Sequence, residues 1–421
     1  MNLKNCLRMI SSMLIGSLLV ACSSSTKDLS PIPNLFAGGY PDKDVSHQQR
    51  TATPQIFYVT DRSPFSDKNG NLGYGHERSP EMIFGVSQVS FGNNLSWPEL
   101  INRQKSSGKS AEIGLNIVNN KEIVKFEPTP LSFEVRNGKP TVIPAVLRSY
   151  KSKRQEFQSK IAAELERTNK KEILVFVHGF NNTFDDSIFT VANLWHASGR
   201  VGLPIAYSWP AGVGGLSGYL ADRESGEFSV FHLKEFLRHL SAIPSLEKIH
   251  IVAHSRGTDV TTTALRELVI ASRSAGKSPR QELKISNLIL AAPDLNFGVV
   301  SQRLIAERFG PAMEQITVYI NQADSALGIA QRLTIGQRFG KLTVEDLTPT
   351  QKKIFSKIRN VNFVDVEGAK GASSHAYFRT NPGVLSDIAI LVREGAFPGA
   401  PKRPLENIDI NFWKLPDGYP N

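Results

Sequence analysis

The sequence predicts an α/β protein, a mostly parallel sheet with helices on both faces and a β-rich extension ahead of it. Three observations carry this. Short apolar runs alternate with amphipathic stretches through the middle of the chain. Those runs are β-branched or aromatic with little polar alternation, as in strands buried on both faces. One of them passes directly into Ala253-His254-Ser255-Arg256-Gly257 and then into a helical stretch.

The expected strands are 172–177 (EILVFV), 203–208 (LPIAYS), 248–253 (KIHIVA), 284–291 (KISNLILA), 315–320 (QITVYI) and 360–366 (NVNFVDV). Helices are expected over 185–198, 227–242, 258–272 and about 298–309. Strand-helix repetition of this kind argues for parallel pairing with right-handed crossovers. Residues 51–150 hold apolar runs at 55–60, 82–91, 113–118 and 141–146 between Gly, Asn and Pro clusters. They read as strands added to the sheet edge or as a small layer, followed by a helix over 153–167. Residues 151–400 form the expected catalytic domain and 401–421 a C-terminal tail.

The N-terminus follows a different logic. Lys4 and Arg8 precede an apolar stretch from Met9 to Val20. It is shorter than the ~20 residues a membrane span needs and suits a signal peptide over 1–21. The run ends Leu19-Val20-Ala21-Cys22, which resembles the bacterial lipobox. That resemblance implies cleavage before Cys22 and acylation of its thiol and new amino group. Ser23, where an Asp would hold the chain at the inner membrane, implies outer-membrane sorting. Several acyl chains, each CH₂ contributing about 0.8 kcal/mol, anchor stably. Residues 22–50 read as a flexible tether.

The chain has 421 residues, with 40% hydrophobic and 21% charged, enough apolar material for a large core. Its two cysteines, Cys6 and Cys22, precede the folded region, so no disulfide is expected there. The net charge is +10, or +8 once the leader takes Lys4 and Arg8 away. A scattered basic surface suits an anionic membrane or wall. No arginine-rich run, zinc-finger spacing or aromatic-basic motif points to nucleic acid. The histidines His47, His76, His196, His232, His239 and His250 lack metal-ligand spacing, and no P-loop or dinucleotide fingerprint is present, so neither metal nor cofactor is expected.

The chemistry concentrates around Ser255. A nucleophile elbow needs a serine on a strained strand-to-helix turn, with small residues two before and two after. Ala253 and Gly257 occupy those places; Ala253 departs from the strict glycine. An oxyanion hole needs one N–H from the residue after the nucleophile and one from a loop after an earlier strand. Arg256 and Phe180, the latter in His178-Gly179-Phe180-Asn181, fit these roles. His178 reads as a loop-holding residue, with a catalytic base as the alternative. Downstream, Asp324 follows the strand 315–320 and His375 the strand 360–366. Asp324 can orient His375, which takes the Ser255 proton and returns it to the leaving group. Asp294, in LAAPDLN, competes for the acid role.

The segments HGFNNTF, YSWPAG, YLADRES, AHSRG, AAPD and SHAYF, with FYVTDR and Tyr74-Gly75 upstream, resemble a bacterial family of α/β-hydrolases in the esterase/lipase superfamily. The resemblance spans about residues 54–395. It implies the α/β-hydrolase fold and a Ser-Asp-His triad on Ser255, Asp324 and His375. Many relatives carry Met or Gln where this chain has Arg256; the backbone donor survives that change.

The Gly-rich stretch 209–218 reads either as a flap over the site or as an ordinary connection. Phe180, Phe184, Trp209, Tyr219 and Tyr377 are pocket-wall or core candidates. The expected function is carboxylic-ester hydrolysis through an acyl-enzyme on a small-molecule or lipid ester. The alternatives are a lipase, thioesterase, amidase or acyltransferase acting on envelope lipid or glycan, and a non-enzymatic binding lipoprotein.

Overall fold

The computed structural model describes residues 27–106, 113–333, 336–366 and 374–420. Cys22 and the signal segment lie outside the described residues.

The strands and main helices run in chain order as β1 (Gln55–Ser66), β2 (Leu72–Phe91), α1 (Trp97–Ser106), β3 (Leu115–Lys125), β4 (Phe133–Arg136), β5 (Lys139–Val142), α2 (Pro144–Leu165), β6 (Glu172–Val177), α3 (Phe184–Ala197), β7 (Leu203–Ser208), α4 (Gly215–Ser241), β8 (Lys248–His254), α5 (Gly257–Ser274), β9 (Ile285–Ala291), β10 (Gln315–Ile320), α6 (Ser325–Leu333), β11 (Val361–Asp365), α7 (Pro382–Glu394), β12 (Glu406–Asp409) and β13 (Phe412–Lys414). Among the described residues one large sheet has the order β12-β13-β11-β10-β9-β8-β6-β7-β1-β2-β3. From β13 to β1 every neighbouring pair is parallel. The outer strands β12, β2 and β3 are antiparallel. This is the α/β-hydrolase architecture expected from the sequence.

Both sheet faces are buried, and the strand pleat divides them. Ile173, Val175 and Val177 of β6 enter one core, while Leu174 and Phe176 enter the other. Every residue of β6, β7, β9 and β10 is buried, which is why these segments read as apolar runs without alternation. At the start of α3, Thr183 and Asp186 form a reciprocal capping box worth about 1 kcal/mol.

The β-rich extension takes the first of its two expected forms, strands added to the sheet edge: β1 pairs with β7, and β2 and β3 follow it outward. Several other expectations need correction. The helix expected from 153 begins at Pro144, where proline's fixed φ suits the first helical position. The helix expected over 298–309 breaks into a four-residue turn, Phe297–Val300, and a wider π-type turn, Ser301–Ile305. Of the expected tether 22–50, residues 27–50 pack against the domain, with Leu29, Phe36 and Val45 buried. The expected tail 401–421 supplies β12 and β13. It also supplies Arg403 and Tyr419, which meet Asp387 of α7 at 2.7 Å each.

Candidate functional site

The chain leaves β6 on one side for β7 and returns to β8 on the other side of β6. Open parallel sheets place ligands at such a switch point, outside the strand C-termini. The segments after β6, β8, β9, β10 and β11 bring the sequence-predicted residues there.

Ser255 sits at φ 50°, the left-handed region that a side chain enters at a cost. Its N–H donates to the Ala291 carbonyl (2.9 Å), while its own carbonyl accepts from Thr258 N (3.1 Å) and Thr258 Oγ1 (2.6 Å). These bonds hold the sharp reversal from β8 into α5. Gly257 is required by space: a Cβ there would lie 2.2 Å from the His178 carbonyl oxygen. Gly179 faces the other side of the turn, where a Cβ would meet the Ser255 Cβ at 2.8 Å. Ala253, where the strict motif has glycine, is fully buried in the core.

His375 Nδ1 lies 2.7 Å from Asp324 Oδ2. The other Asp324 oxygen accepts from Leu327 N (3.0 Å), so the carboxylate caps α6 and orients the imidazole at once. Burial alone would lower the His375 pKa; the charge and hydrogen bond of Asp324, with the charge of Asp294, outweigh it and raise it above the ordinary value. His254 is held neutral, its pKa well below normal through burial and the neighbouring His375. Its Nε2–H donates to the His375 carbonyl (3.0 Å), and its ring stacks on Phe378.

Asp294 takes a different set of partners. Tyr219 Oη donates to it (2.8 Å) and Arg338 Nη1 lies 3.4 Å away. It is buried and lines the same cavity as Ser255 and His375. Of the two candidate acids, Asp324 is the one hydrogen-bonded to His375.

His178 is packed away. Its ring stacks on Trp209 at 5.0 Å and its Nδ1–H donates to the Gly179 carbonyl (2.9 Å). Burial and Arg62 depress its pKa to about 3, so it stays neutral. The loop 178–182 is further held by Asp222, which accepts from Asn181 N (2.9 Å), and by Arg62, which donates to the Asn182 carbonyl (2.8 Å).

The cavity at Ser255 measures about 40 Å³, space for a few water molecules. Phe180, Asn182, Tyr219, His254, Asp294 and His375 line it, with Ala326, Leu327, Ile329 and Ala330 of α6. The other aromatic candidates belong to the core: Phe184 packs on Tyr58 and Tyr74, Trp209 on His178, and the Tyr377 hydroxyl bonds the Tyr319 carbonyl and Ala292 N. The stretch 209–218 is tied down rather than free, by Arg62 on the Ala211 carbonyl and Asp222 on Gly212 N, and its end is already inside α4. Among the described residues no cluster of His, Cys, Asp or Glu could hold a metal ion.

Residues 153–394, more than half of the chain, match the family described as "Alpha/beta hydrolase of unknown function (DUF900)". The chain belongs to this family. No curated protein matches it. Among solved structures it is similar to a hyperthermophilic esterase from the archaeon Pyrobaculum calidifontis, at 12% identity over 58% of this chain and 91% of that one, with a TM-score of 0.28. It is also similar to a monoclinic form of Pyrobaculum calidifontis esterase, at 12% identity over 59% and 94%, with a TM-score of 0.27. Likenesses this distant carry no argument about activity.

In this α/β hydrolase, sequence reasoning missed the residues that hold the loops. Arg62 is fully buried and donates to Ser208 Oγ (2.9 Å) and to the Gly75, Ala211 and Asn182 carbonyls (2.9, 2.8 and 2.8 Å). It and Asp222 stand inside the segments FYVTDR and YLADRES, so a signal existed but no local pattern assigned a role. Arg338 lies in no segment that stood out.

Proposed function

We propose that this hydrolase is a serine esterase that cleaves short-chain carboxylic esters through an acyl-enzyme on Ser255. The observation that carries the reading is the 2.7 Å Asp324–His375 hydrogen bond, with His375 and the strained Ser255 lining one cavity. His375 takes the Ser255 proton as Oγ attacks the ester carbonyl carbon. The backbone N–H groups of Phe180 and Arg256 receive the oxyanion. As the tetrahedral species collapses, the C–O bond breaks and His375 gives its proton to the departing alcohol. Water then enters, loses a proton to His375 and releases the acid by the same path. The small cavity, lined partly by Ala326, Leu327, Ile329 and Ala330, favours a short acyl group over a long one.

Hydrolysis of p-nitrophenyl acetate or butyrate, compared with palmitate, tests the assignment. The short esters should turn over faster, and Ser255→Ala should abolish that turnover. Activity confined to long-chain or emulsified lipid would replace the esterase reading with a lipase.

The envelope location is proposed alongside. Cys22 carries the lipid and tethers the domain to the outer membrane. Cys22→Ala should release the protein from membranes or stall its processing, whereas unchanged retention would contradict the anchor.

A further inference from the structure

The ribbon β4–β5 stands apart from the sheet. Asn137 and Gly138 join its strands, with φ 51° and 72°, the two-residue turn that matches strand twist. Its register pairs Phe133 with Val142 and Val135 with Pro140. Directly opposed residues share a face. One face is therefore wholly apolar: Phe133, Val135, Pro140 and Val142. The other carries Glu134, Arg136, Lys139 and Thr141.

Most of the apolar face lies open among the described residues: Phe133, Val135 and Pro140 are exposed and Val142 is half-buried. Phe133 is 60% exposed and Val135 69%. An isolated two-stranded ribbon is marginal in water, and one with an open apolar face calls for something to bury it. The charge beside it indicates what. Glu134 is neutralised by Arg136 at 2.6 Å, while Lys139 makes no ion pair among the described residues. Two residues after β5, Pro144 starts α2, whose exposed Arg148, Lys151 and Arg154 recur every third residue. An apolar surface beside unpaired cations is the composition of an element lying in an anionic lipid interface.

We propose that this ribbon is a membrane-contacting element: its apolar face enters the interface of an anionic bilayer while Lys139, Arg148 and Lys151 engage the headgroups. The inference rests neither on the esterase reading nor on the lipid at Cys22, and the test removes that lipid.

The full chain with Cys6→Ser and Cys22→Ser has no thiol left, so Val135→Cys admits a single nitrobenzoxadiazole dye on the ribbon. It is mixed with vesicles of phosphatidylcholine alone, and of equal parts phosphatidylcholine and phosphatidylglycerol. The dye should brighten and shift to the blue with the anionic vesicles, far less with the neutral ones, and high salt should reverse the change. Arg148→Gln and Lys151→Gln should each weaken vesicle binding by about fivefold. Phe133→Asp should remove the dye response, with circular dichroism unchanged because the residue is exposed. Binding of the chain to vesicles without a dye response would mean that the leader and not the ribbon enters the bilayer, and would overturn the proposal. So would a response to protein concentration without vesicles, which would seat the ribbon on a second copy of the chain.

Discussion

Asp324 and His375 lie 51 residues apart in the chain and 2.7 Å apart in the fold. Adjacent parallel strands β10 and β11 end together, so the segments that follow them meet. The same carboxylate caps α6 through Leu327 N. Asp324→Asn should keep the cap and lose the charge that orients and supports the imidazole. The expected result is a fall in kcat of about 10³- to 10⁴-fold on p-nitrophenyl butyrate, with little change in thermal stability.

Asp294 acts on His375 by charge alone. Its carboxylate contributes to raising the His375 pKa, after Asp324. Imidazolium cannot accept the Ser255 proton, so activity should fall as pH drops through that raised pKa. In Asp294→Asn one raising charge is gone, and the acid limb of the kcat/KM profile should move to lower pH. A full pH profile of both enzymes reads the shift; loss of activity as large as that of Asp324→Asn would assign the acid role to Asp294.

Gly257 and Gly179 press the two loops of the site together, with different consequences. Gly257→Ala would push its Cβ into the backbone oxygens of His178 and Val177, at 2.2 and 2.7 Å. Destabilisation of about 3 kcal/mol is expected in urea unfolding. Gly179→Ala meets the Ser255 Cβ at 2.8 Å. It should lower kcat more than stability, which ester assays and urea unfolding together distinguish.

Arg62→Leu should cost about 3 kcal/mol, because its buried guanidinium holds three carbonyls, one from strand β2 and two from separate loops. Burial lowers the Arg62 pKa to about 10, partly offset by Asp61 and Asp222, so the group stays charged at neutral pH. Loosening of 178–182 should also cut kcat while KM changes less.

The C-terminal segment is predicted to be structural. Arg403 and Asp387 are both fully buried and paired at 2.7 Å. Asp387→Ala should destabilise by about 4 kcal/mol, since it leaves a buried cation without its partner. Burial alone would raise the Asp387 pKa; Arg403, Tyr319 and Tyr419 outweigh it and hold it below the usual value. The pair's contribution is therefore full above the ordinary carboxylate range and is lost as pH falls through the lowered value. Urea unfolding at neutral and acid pH checks both points.

The central strands were legible because burial on two faces leaves uninterrupted apolar runs such as EILVFV. That Ser255 and His375 gather at one edge was legible because strand C-termini in a parallel sheet all open on the same side. Three things were hidden. The strands β12 and β13 span four and three residues, and β12 is entirely exposed, so only pairing defines them. Leu29 and Val45 are single apolar residues in a polar stretch and Phe36 stands in the short run Leu35-Phe36-Ala37, and nothing local says that they are buried. Arg62 and Asp222 serve backbone groups of distant loops, a role no spacing along the chain encodes.

The most direct measurement is labelling with a fluorophosphonate probe, followed by mass spectrometry of the modified peptide. The label should sit on Ser255, be absent from Ser255→Ala, and form much more slowly in His375→Ala. A label on another serine, or equal labelling of Ser255→Ala, would contradict Ser255 as the nucleophile.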